Sequence, residues 1–188
     1  MKYILKNIND YSDTFINEFY KSVPLSKKEK IIKLLDYENK KRSIVGCILL
    51  NTLLENKVNE FTYNEYGKPF VKDNETFFNI SHSYDYVVCA ISNKRIGIDI
   101  EKIREVPMNT VNQFATEIEK NYISKSYERL FQIYTLKEAY FKMLGTNLNN
   151  ILDIEFIIND NTITSNKDDI NIIQFKKNDY IISIIEEK

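Results

Sequence analysis

The scarcity of glycine restricts this chain more than any other feature of its sequence. Only four of its 188 residues are glycine, and Gly46, Gly67, Gly97 and Gly145 lie far apart. The chain therefore contains neither the GxGxxG loop of dinucleotide-binding folds nor the GxxxxGK[ST] loop of P-loop proteins. If the chain binds phosphate groups, its side chains and helix ends must hold them.

Cysteine, histidine and net charge narrow the classes of site further. The chain has one histidine and two cysteines, Cys47 and Cys89, so any metal should be a hard ion held by carboxylates rather than zinc. The two cysteines form no disulfide framework, and we expect reduced, partly buried thiols. A formal net charge of −1 excludes a polycation that coats nucleic acid, although it allows a local basic patch.

Apolar runs in this sequence are short. The run at the N-terminus is too short for a signal peptide, and charged residues follow it at once. No stretch approaches the roughly 18 consecutive apolar residues of a membrane-spanning helix. We therefore expect a soluble, cytoplasmic protein with no membrane partner.

The spacing of apolar residues predicts an α+β fold. A chain of 188 residues should form one domain or two small halves packed as one unit, and helices and strands are similarly frequent in residues 1–94 and 95–188. Helices are predicted over residues 11–21, 37–54, 108–123 and 127–144, with one more near a capping box formed by Ser26 and Glu29. Strands are predicted over residues 1–10, 77–80, 86–91, 96–101, 154–158, 170–175 and 180–185.

Two acidic residues share one face of the strand predicted over residues 96–101. Side chains alternate along a strand, so the isoleucines share one face while Asp99 and Glu101 share the other, about 7 Å apart along the strand. Gly97 lies on the acidic face and leaves room for something to approach the backbone. Two such carboxylates can hold one hard cation, whereas the alternative is an ordinary strand with a solvated acidic face.

Charged residues also occur on the inward side of the helix predicted over residues 127–144. At about 100° per residue, Lys137, Glu138 and Lys142 fall inside or at the margin of an apolar sector. Charges there are costly unless they are paired or bound to something. The alternative is a surface pair, since Glu138 and Lys142 lie four residues apart.

Basic residues concentrate between positions 21 and 42, where eight Lys or Arg residues face three acids, a net charge of +5. Lys27 and Lys30 lie in the opening turn of a predicted helix, where free N–H groups also favour anions. A run of basic residues is usually a solvent-exposed face, which is the alternative to a phosphate site here.

His82, the one histidine, lies between Ser81 and Ser83 at the end of a predicted strand. It could bind a ligand, and the alternative is a purely structural role.

Four stretches, taken together and in this order, resemble the 4′-phosphopantetheinyl transferases of the surfactin-synthetase-activating type. They are Gly67-Lys68-Pro69, Phe78-Asn79-Ile80-Ser81-His82-Ser83, Ile96-Gly97-Ile98-Asp99-Ile100-Glu101 and Lys137-Glu138-Ala139-Tyr140-Phe141-Lys142. The resemblance covers roughly residues 25–145. It implies two similar pseudo-symmetric α/β halves that join near Lys94, with the active site at their interface. Tyr134-Thr135 stands where the family usually has Trp-Ser or Trp-Cys, an aromatic-plus-hydroxyl replacement that should preserve the geometry.

The resemblance also implies residue roles. Magnesium, or manganese in its place, would be held by Asp99, Glu101 and Glu138. Glu138 is the candidate base for the serine proton, and Lys142 would contact the pyrophosphate of coenzyme A. Lys137 is expected to orient Glu138 or a partner. The remaining coenzyme A-binding residues would be Lys27, Lys30, Arg42 and His82 at the 3′-phosphate, Gly67, Lys68 and Pro69 at the adenine, and Ser81.

The implied reaction transfers the 4′-phosphopantetheine arm of coenzyme A to a serine of an apo acyl or peptidyl carrier protein and releases adenosine 3′,5′-bisphosphate. The sequence suggests a monomer, because one chain would supply both sides of the site. Two alternatives stay open: a coenzyme A-binding protein of the same fold without transferase activity, and a single-strand nucleic-acid-binding module. The second is disfavoured because the aromatics are scattered and an acidic cluster without a metal ion repels phosphates.

Overall fold

A computed structural model describes residues 1–55, 58–146, 150–159 and 162–188 of the chain. Across these ranges the helices are α1 Asp13–Ser22, α2 Leu25–Ile32, α3 Tyr37–Leu53, α4 Glu117–Ile123 and α5 Tyr127–Leu144. The strands are β1 Lys2–Asn7, β2 Phe61–Tyr63, β3 Pro69–Val71, β4 Phe77–Ser83, β5 Tyr86–Ser92, β6 Ile96–Lys102, β7 Phe156–Asn159, β8 Thr162–Ser165, β9 Ile170–Lys177 and β10 Tyr180–Glu187. In the described ranges, no helix has both the length and the apolar character needed to cross a bilayer.

Two three-stranded antiparallel sheets form the framework. Their strand orders are β1-β5-β4 and β6-β10-β9, and two short hairpins, β2-β3 and β7-β8, lie outside them. Antiparallel sheets combined with separate helices confirm the α+β class predicted from the sequence.

The edge strands of the two sheets, β4 and β6, are joined through side chains. The side-chain oxygen of Asn79 accepts a hydrogen bond from the backbone N–H of Ile98 at 2.9 Å. The hydroxyl oxygen of Ser83 likewise accepts one from the backbone N–H of Lys102 at 3.2 Å. We call this boundary between β4 and β6 the seam, because side chains replace a backbone ladder there.

Strand β6 has one apolar and one functional face, as its alternation predicts. Ile96, Ile98 and Ile100 are fully buried in a core cluster that includes residues of β5 and β10. The opposite face lies under α5, and a Cβ at Gly97 would stand 1.9 Å from the carbonyl oxygen of Ala139. The space that Gly97 provides is therefore filled by α5, and this close approach brings the helix onto the acidic face.

Most predicted elements are present, and the exceptions have local causes. Helix α5 ends at Gly145, whose φ of +71° suits glycine, as expected. The predicted capping box at Ser26 is wrong: Pro24 occupies the N-cap position of α2 without a side-chain hydrogen bond, and the Ser26 hydroxyl instead accepts a hydrogen bond from the N–H of Phe61. The prediction of one continuous helix over residues 108–123 is also wrong. This segment forms a 3₁₀ turn, Met108–Gln113, followed by the separate helix α4, which Thr116 caps.

The two cysteines agree with the prediction of reduced thiols. Cys47 and Cys89 are free and buried in the structure. Their thiols are more deeply buried than the sequence suggested, because both side chains belong to the core between α3 and the first sheet.

Candidate active site

Asp99 lies at the centre of a polar cavity between β6, α5 and the end of β4. Its Oδ1 accepts hydrogen bonds from the hydroxyl of Ser81 at 2.8 Å and from the ammonium of Lys142 at 2.6 Å. Its Oδ2 is buried and, among the residues that the structure describes, has no hydrogen-bond partner. A buried carboxylate oxygen of this kind is costly unless a ligand or cation completes it.

Glu101 lies two residues further along the same face of β6 and closer to solvent. Its Oε2 accepts hydrogen bonds from the Ser83 hydroxyl at 3.0 Å and from the Arg104 guanidinium at 2.8 Å. These two contacts thus hold the carboxylate at the cavity.

Glu138 faces the two strand acids from α5. Burial, and after it the negative charge of Asp99, raises the pKa of Glu138, whereas Lys142 and a hydrogen bond from the Tyr134 hydroxyl lower it. Glu101 adds a smaller upward contribution to this pKa. The three carboxylates therefore repel one another across the cavity, and Lys142 only partly compensates them.

Two adjoining cavities share Glu138 and Lys142. One, of about 200 Å³, is also lined by Ser81, His82, Asp99, Glu101 and Tyr134. The other, of about 250 Å³, is also lined by Gly67, Lys68, Pro69 and Asn79. The structure thus brings together residues that are up to 75 positions apart in the sequence, as Gly67 and Lys142 of the predicted set illustrate.

The acidic cavity suits a hard cation by its chemistry. Carboxylate oxygens are the ligands that Mg²⁺ and Mn²⁺ prefer, and the unpartnered Oδ2 of Asp99 is available. Across the described ranges, however, no three His, Cys, Asp or Glu side chains are grouped closely enough to form a metal site. The ammonium of Lys142 is the positive group that contacts Asp99 in this arrangement.

A cluster of positive charge lies beside the acidic cavity. Desolvation, followed by the charges of Arg42, Lys142 and Lys27, lowers the pKa of His82. The Arg42 guanidinium donates to the carbonyl oxygen of Tyr84 at 2.9 Å and to the side chain of Asn39. Within the described residues Arg42 has no carboxylate partner, so its charge is available to an anion beside His82.

Lys30 differs from the other predicted phosphate-binding residues. Its ammonium lies 3.2 Å from the centre of the Tyr63 ring, and burial, then the charges of Lys27 and Lys33, lowers its pKa. The structure therefore places the Lys30 ammonium on the Tyr63 ring, whereas the charges of Lys27 and Arg42 act on His82.

Lys137 does not take the position expected for it. Its side chain is fully buried and pairs with Glu119 of α4 at 2.8 Å. Its ammonium also donates to the carbonyl oxygens of Ile151 and Ile154, and it lines neither of the two cavities. The expectation that Lys137 orients Glu138 is wrong, because Lys137 turns away from the cavity and anchors α5 to α4 and the segment before β7.

The sequence analysis missed the polar row on β4. Asn79, Ser81 and Ser83 are all buried, and each bonds to a residue of β6. The sequence pattern that could have revealed this row is the spacing of two residues between its members, which places all three polar side chains on one face of the strand. Tyr134 was noted only as a replacement for tryptophan, yet its hydroxyl bonds to Glu138.

Comparisons with known proteins find relatives over most of the chain. A family model described as the 4′-phosphopantetheinyl transferase superfamily matches residues 95–185. The chain is 34% identical over 151 residues to 4′-phosphopantetheinyl transferase gsp of Aneurinibacillus migulanus, covering 74% of this chain and 63% of that protein. It is 28% identical over 147 residues to 4′-phosphopantetheinyl transferase Sfp of Bacillus subtilis strain 168, covering 72% and 66%.

The aligned part of the chain thus spans less than two thirds of the length of these relatives. The family model nevertheless includes both β6, with Asp99 and Glu101, and α5, with Glu138 and Lys142. The resemblance read from the four sequence motifs is therefore confirmed: residues 95–185 match the model of the 4′-phosphopantetheinyl transferase superfamily, and most of the chain is similar to transferases of that kind.

Proposed function

We propose that this protein transfers the 4′-phosphopantetheine arm of coenzyme A to a serine of an apo acyl or peptidyl carrier protein. The serine oxygen forms a bond to the phosphorus that bears the pantetheine arm. The bond from that phosphorus to the bridging oxygen breaks, and adenosine 3′,5′-bisphosphate leaves. The observation that carries this proposal is the buried, unpartnered Oδ2 of Asp99 in a cavity that Glu138 and Lys142 also line.

Asp99, Glu101 and Glu138 would hold a magnesium ion together with phosphate oxygens of coenzyme A, because the described carboxylates alone are not grouped closely enough to form a metal site. Manganese suits the same oxygen donors. When bound, such an ion neutralises pyrophosphate charge and stabilises the charge that develops on the leaving phosphate. Burial, and after it the negative charge of Asp99, raises the pKa of Glu138, and the second of these causes supports a cation at this place. Lys142 would add a second positive charge next to the pyrophosphate oxygens.

Glu138 is the candidate general base for the serine hydroxyl. A raised pKa makes its carboxylate a better proton acceptor than an ordinary glutamate, provided that it is ionised. The hydrogen bond from Tyr134, one helical turn before it, fixes the orientation of the carboxylate. Glu138 would therefore serve both the metal and the proton transfer.

The 3′-phosphate of coenzyme A fits the cluster of Lys27, Arg42 and His82. Desolvation, and after it the charges of Arg42, Lys142 and Lys27, lowers the pKa of His82, and an anion there would offset those charges. Ser81 lies beside it, whereas Lys30 would have to leave the Tyr63 ring to contribute. The cavity lined by Gly67, Lys68 and Pro69 would accept the adenine.

The two sides of the proposed site come from different halves of one chain. Residues 1–94 would supply the coenzyme A contacts, and residues 95–188 the acidic strand and α5. One copy of the chain would then be sufficient for catalysis, so we expect it to act as a monomer in the cytoplasm.

Intact-mass analysis of a carrier protein tests the proposal. An apo carrier incubated with this protein, coenzyme A and Mg²⁺ should gain one phosphopantetheine unit, and EDTA should prevent the gain. Glu138→Gln should abolish transfer but retain coenzyme A binding. Glu128→Gln is the matched control, because Glu128 lies on the exposed side of the same helix.

Two results would contradict the proposal. Coenzyme A binding without transfer to acyl or peptidyl carriers would favour the non-catalytic coenzyme A-binding protein. An unchanged transfer rate in Glu138→Gln would remove the role assigned to that residue.

A further inference from the structure

Lys68 is a buried lysine whose ammonium bonds to backbone carbonyls. It is 9% exposed, and its Nζ donates to the carbonyl oxygens of Lys142 at 2.6 Å and Met143 at 2.8 Å. The last carbonyls of a helix have no partner within the helix, so these two oxygens need partners from outside it. Lys68 therefore caps the C-terminal end of α5 from outside the helix.

The turn that carries Lys68 is fixed by Asn64. The side-chain oxygen of Asn64 accepts hydrogen bonds from the backbone N–H groups of Tyr66 at 3.1 Å and Lys68 at 2.8 Å. Its amide nitrogen donates to the carbonyl oxygen of Gly145 at 2.9 Å. Gly67, with a φ of +83°, makes this tight turn possible. The turn between β2 and β3 thus contacts the end of α5 at two points.

The position of Lys68 carries an electrostatic cost. Burial, and after it the charge of Arg95, lowers the pKa of Lys68 to about 8, and among the described residues no carboxylate pairs with it. The partial negative charge at the helix C-terminus offsets part of this cost. Such a costly buried cation suits a role in holding two elements in one arrangement.

The two elements that Lys68 joins line the same cavity. Gly67 and Pro69 of the turn and Glu138 and Lys142 of α5 enclose the cavity of about 250 Å³. A shift of the turn relative to the helix would therefore change the distance between the adenine side of the proposed site and its acidic side.

We propose that the Lys68 ammonium is a positioning residue that locks the turn between β2 and β3 onto the end of α5. This inference rests on the proposed function and deepens it, since the lock would set where coenzyme A lies relative to Glu138 and Lys142. Lys68 itself need not touch the reacting phosphate. Its ammonium positions Glu138 and Lys142 indirectly, by holding the carbonyls at the end of α5.

Lys68→Met and Lys68→Arg test this role, with Lys72→Met as control. Lys72 lies just after β3 and forms an exposed ion pair with Glu60. Because small misplacements at a reacting centre are costly, Lys68→Met should lower kcat/KM for coenzyme A by about 10- to 100-fold, with a fall in kcat as well as a rise in KM. Arginine can donate to the same carbonyls and should recover part of the loss, whereas Lys72→Met should leave the rate unchanged.

Hydrogen exchange of the ligand-free protein separates positioning from direct contact with coenzyme A. The amides at the end of α5 should exchange faster in Lys68→Met than in the wild type. A lysine that only contacts the ligand would leave this exchange unchanged, and that result would overturn the inference. Faster exchange with unchanged kcat and KM would also overturn it, because Lys68 would then be merely structural.

The exchange measurement needs no catalysis, so it distinguishes failure of this inference from failure of the proposed function. A wild-type protein that transfers nothing would contradict the function, while the exchange rates still report whether Lys68 holds the helix end. If Lys68→Met does not fold, Asn64→Ala provides the second test. It keeps the lysine but removes the bond to Gly145, and it should raise both the exchange rate and the KM; no change in either would overturn the inference.

Discussion

Replacing Glu119 with glutamine should destabilise this protein far more than removing an ion pair from its surface. Glu119 and Lys137 are both fully buried, with 2.8 Å between the ammonium and Oε2. The carboxylate also accepts hydrogen bonds from the N–H groups of Thr116 at 2.8 Å and Phe156 at 2.9 Å. This pair therefore connects α4, α5 and the start of β7 at one point.

The magnitude follows from the burial of both charges. Removing one partner of a buried pair costs about 3–5 kcal/mol, a large part of the 5–15 kcal/mol that stabilises a typical protein. For a chain of this size the change corresponds to a fall in melting temperature of about 6–20 °C. Burial already lowers the pKa of Lys137, so the lysine left alone in Glu119→Gln should lose its proton more readily. Glutamine keeps an oxygen for the N–H of Phe156.

Urea unfolding followed by circular dichroism measures these free energies. Lys137→Met should cost a similar amount, and the double variant should cost less than the two single changes added together, since it leaves no uncompensated charge. Lys176→Met is the control, because Lys176 pairs with Glu128 on the surface at 2.6 Å and should lose about 1 kcal/mol or less. A cost below about 1 kcal/mol for Glu119→Gln, or strict additivity of the two changes, would refute the reasoning.

Three further predictions follow from the described contacts. Gly97→Ala should cost about 3 kcal/mol in urea unfolding, the upper range for overpacking, because the new Cβ would stand 1.9 Å from the carbonyl oxygen of Ala139; a neutral effect would contradict the close packing of α5. The pKa of His82 is lowered, so the folded chain binds fewer protons than the unfolded chain just below pH 6.5 and should lose stability as the pH falls through that range. Adenosine 3′,5′-bisphosphate should raise this pKa, which the single imidazole signal reports in an NMR titration, and an unmoved pKa would contradict the phosphate site. Burial raises the pKa of Cys47 to about 11 and that of Cys89 still further, so a thiol reagent should label both only after unfolding; rapid labelling of the native chain would show that the thiols are accessible.

The sequence predicts the elements whose faces are fixed by burial. Strand β6 alternates isoleucine with glycine or acid, and both the core on one side and α5 on the other require that alternation. Short elements were less predictable. Strands β2 and β3 have three residues each and β8 has four, too few to show a period, and they are held by pairing with a neighbour.

Local signals failed where tertiary contacts competed with them. Ser26 and Glu29 have the spacing of a capping box, but the Ser26 hydroxyl bonds to β2 instead. Thr116 and Glu119 form a real capping box that was not singled out, and it begins α4 where the prediction had one continuous helix. Spacing alone does not distinguish the two cases, because the difference is whether a strand distant in sequence uses the hydroxyl.

The inward charges of the candidate site were predictable from helical geometry, but the partners of the lysines were not. Glu138 and Lys142, four residues apart, do face the acids of β6. Lys137 is rotated by about 100° from Glu138, so it enters a different environment. Lys68 contacts a helix end 74 residues later in the chain. The roles of Lys137 and Lys68 therefore depend on backbone carbonyls that are distant in sequence and that only the folded chain brings to them.

The seam between the two sheets accounts for the incomplete pairing of Asp99. Strands β4 and β6 meet at the edges of different sheets, so Asn79 and Ser83 supply acceptors for N–H groups of β6 that a backbone ladder would otherwise satisfy. Ser81 lies between them on the same face and donates to Asp99. A hydroxyl donates only one hydrogen bond, whereas a carboxylate accepts several, so Ser81 holds Asp99 in place but leaves Oδ2 without a partner among the described residues. A fully paired aspartate would stabilise the fold more, but it would leave no buried oxygen to receive a cation, and functional sites commonly sacrifice stability in this way.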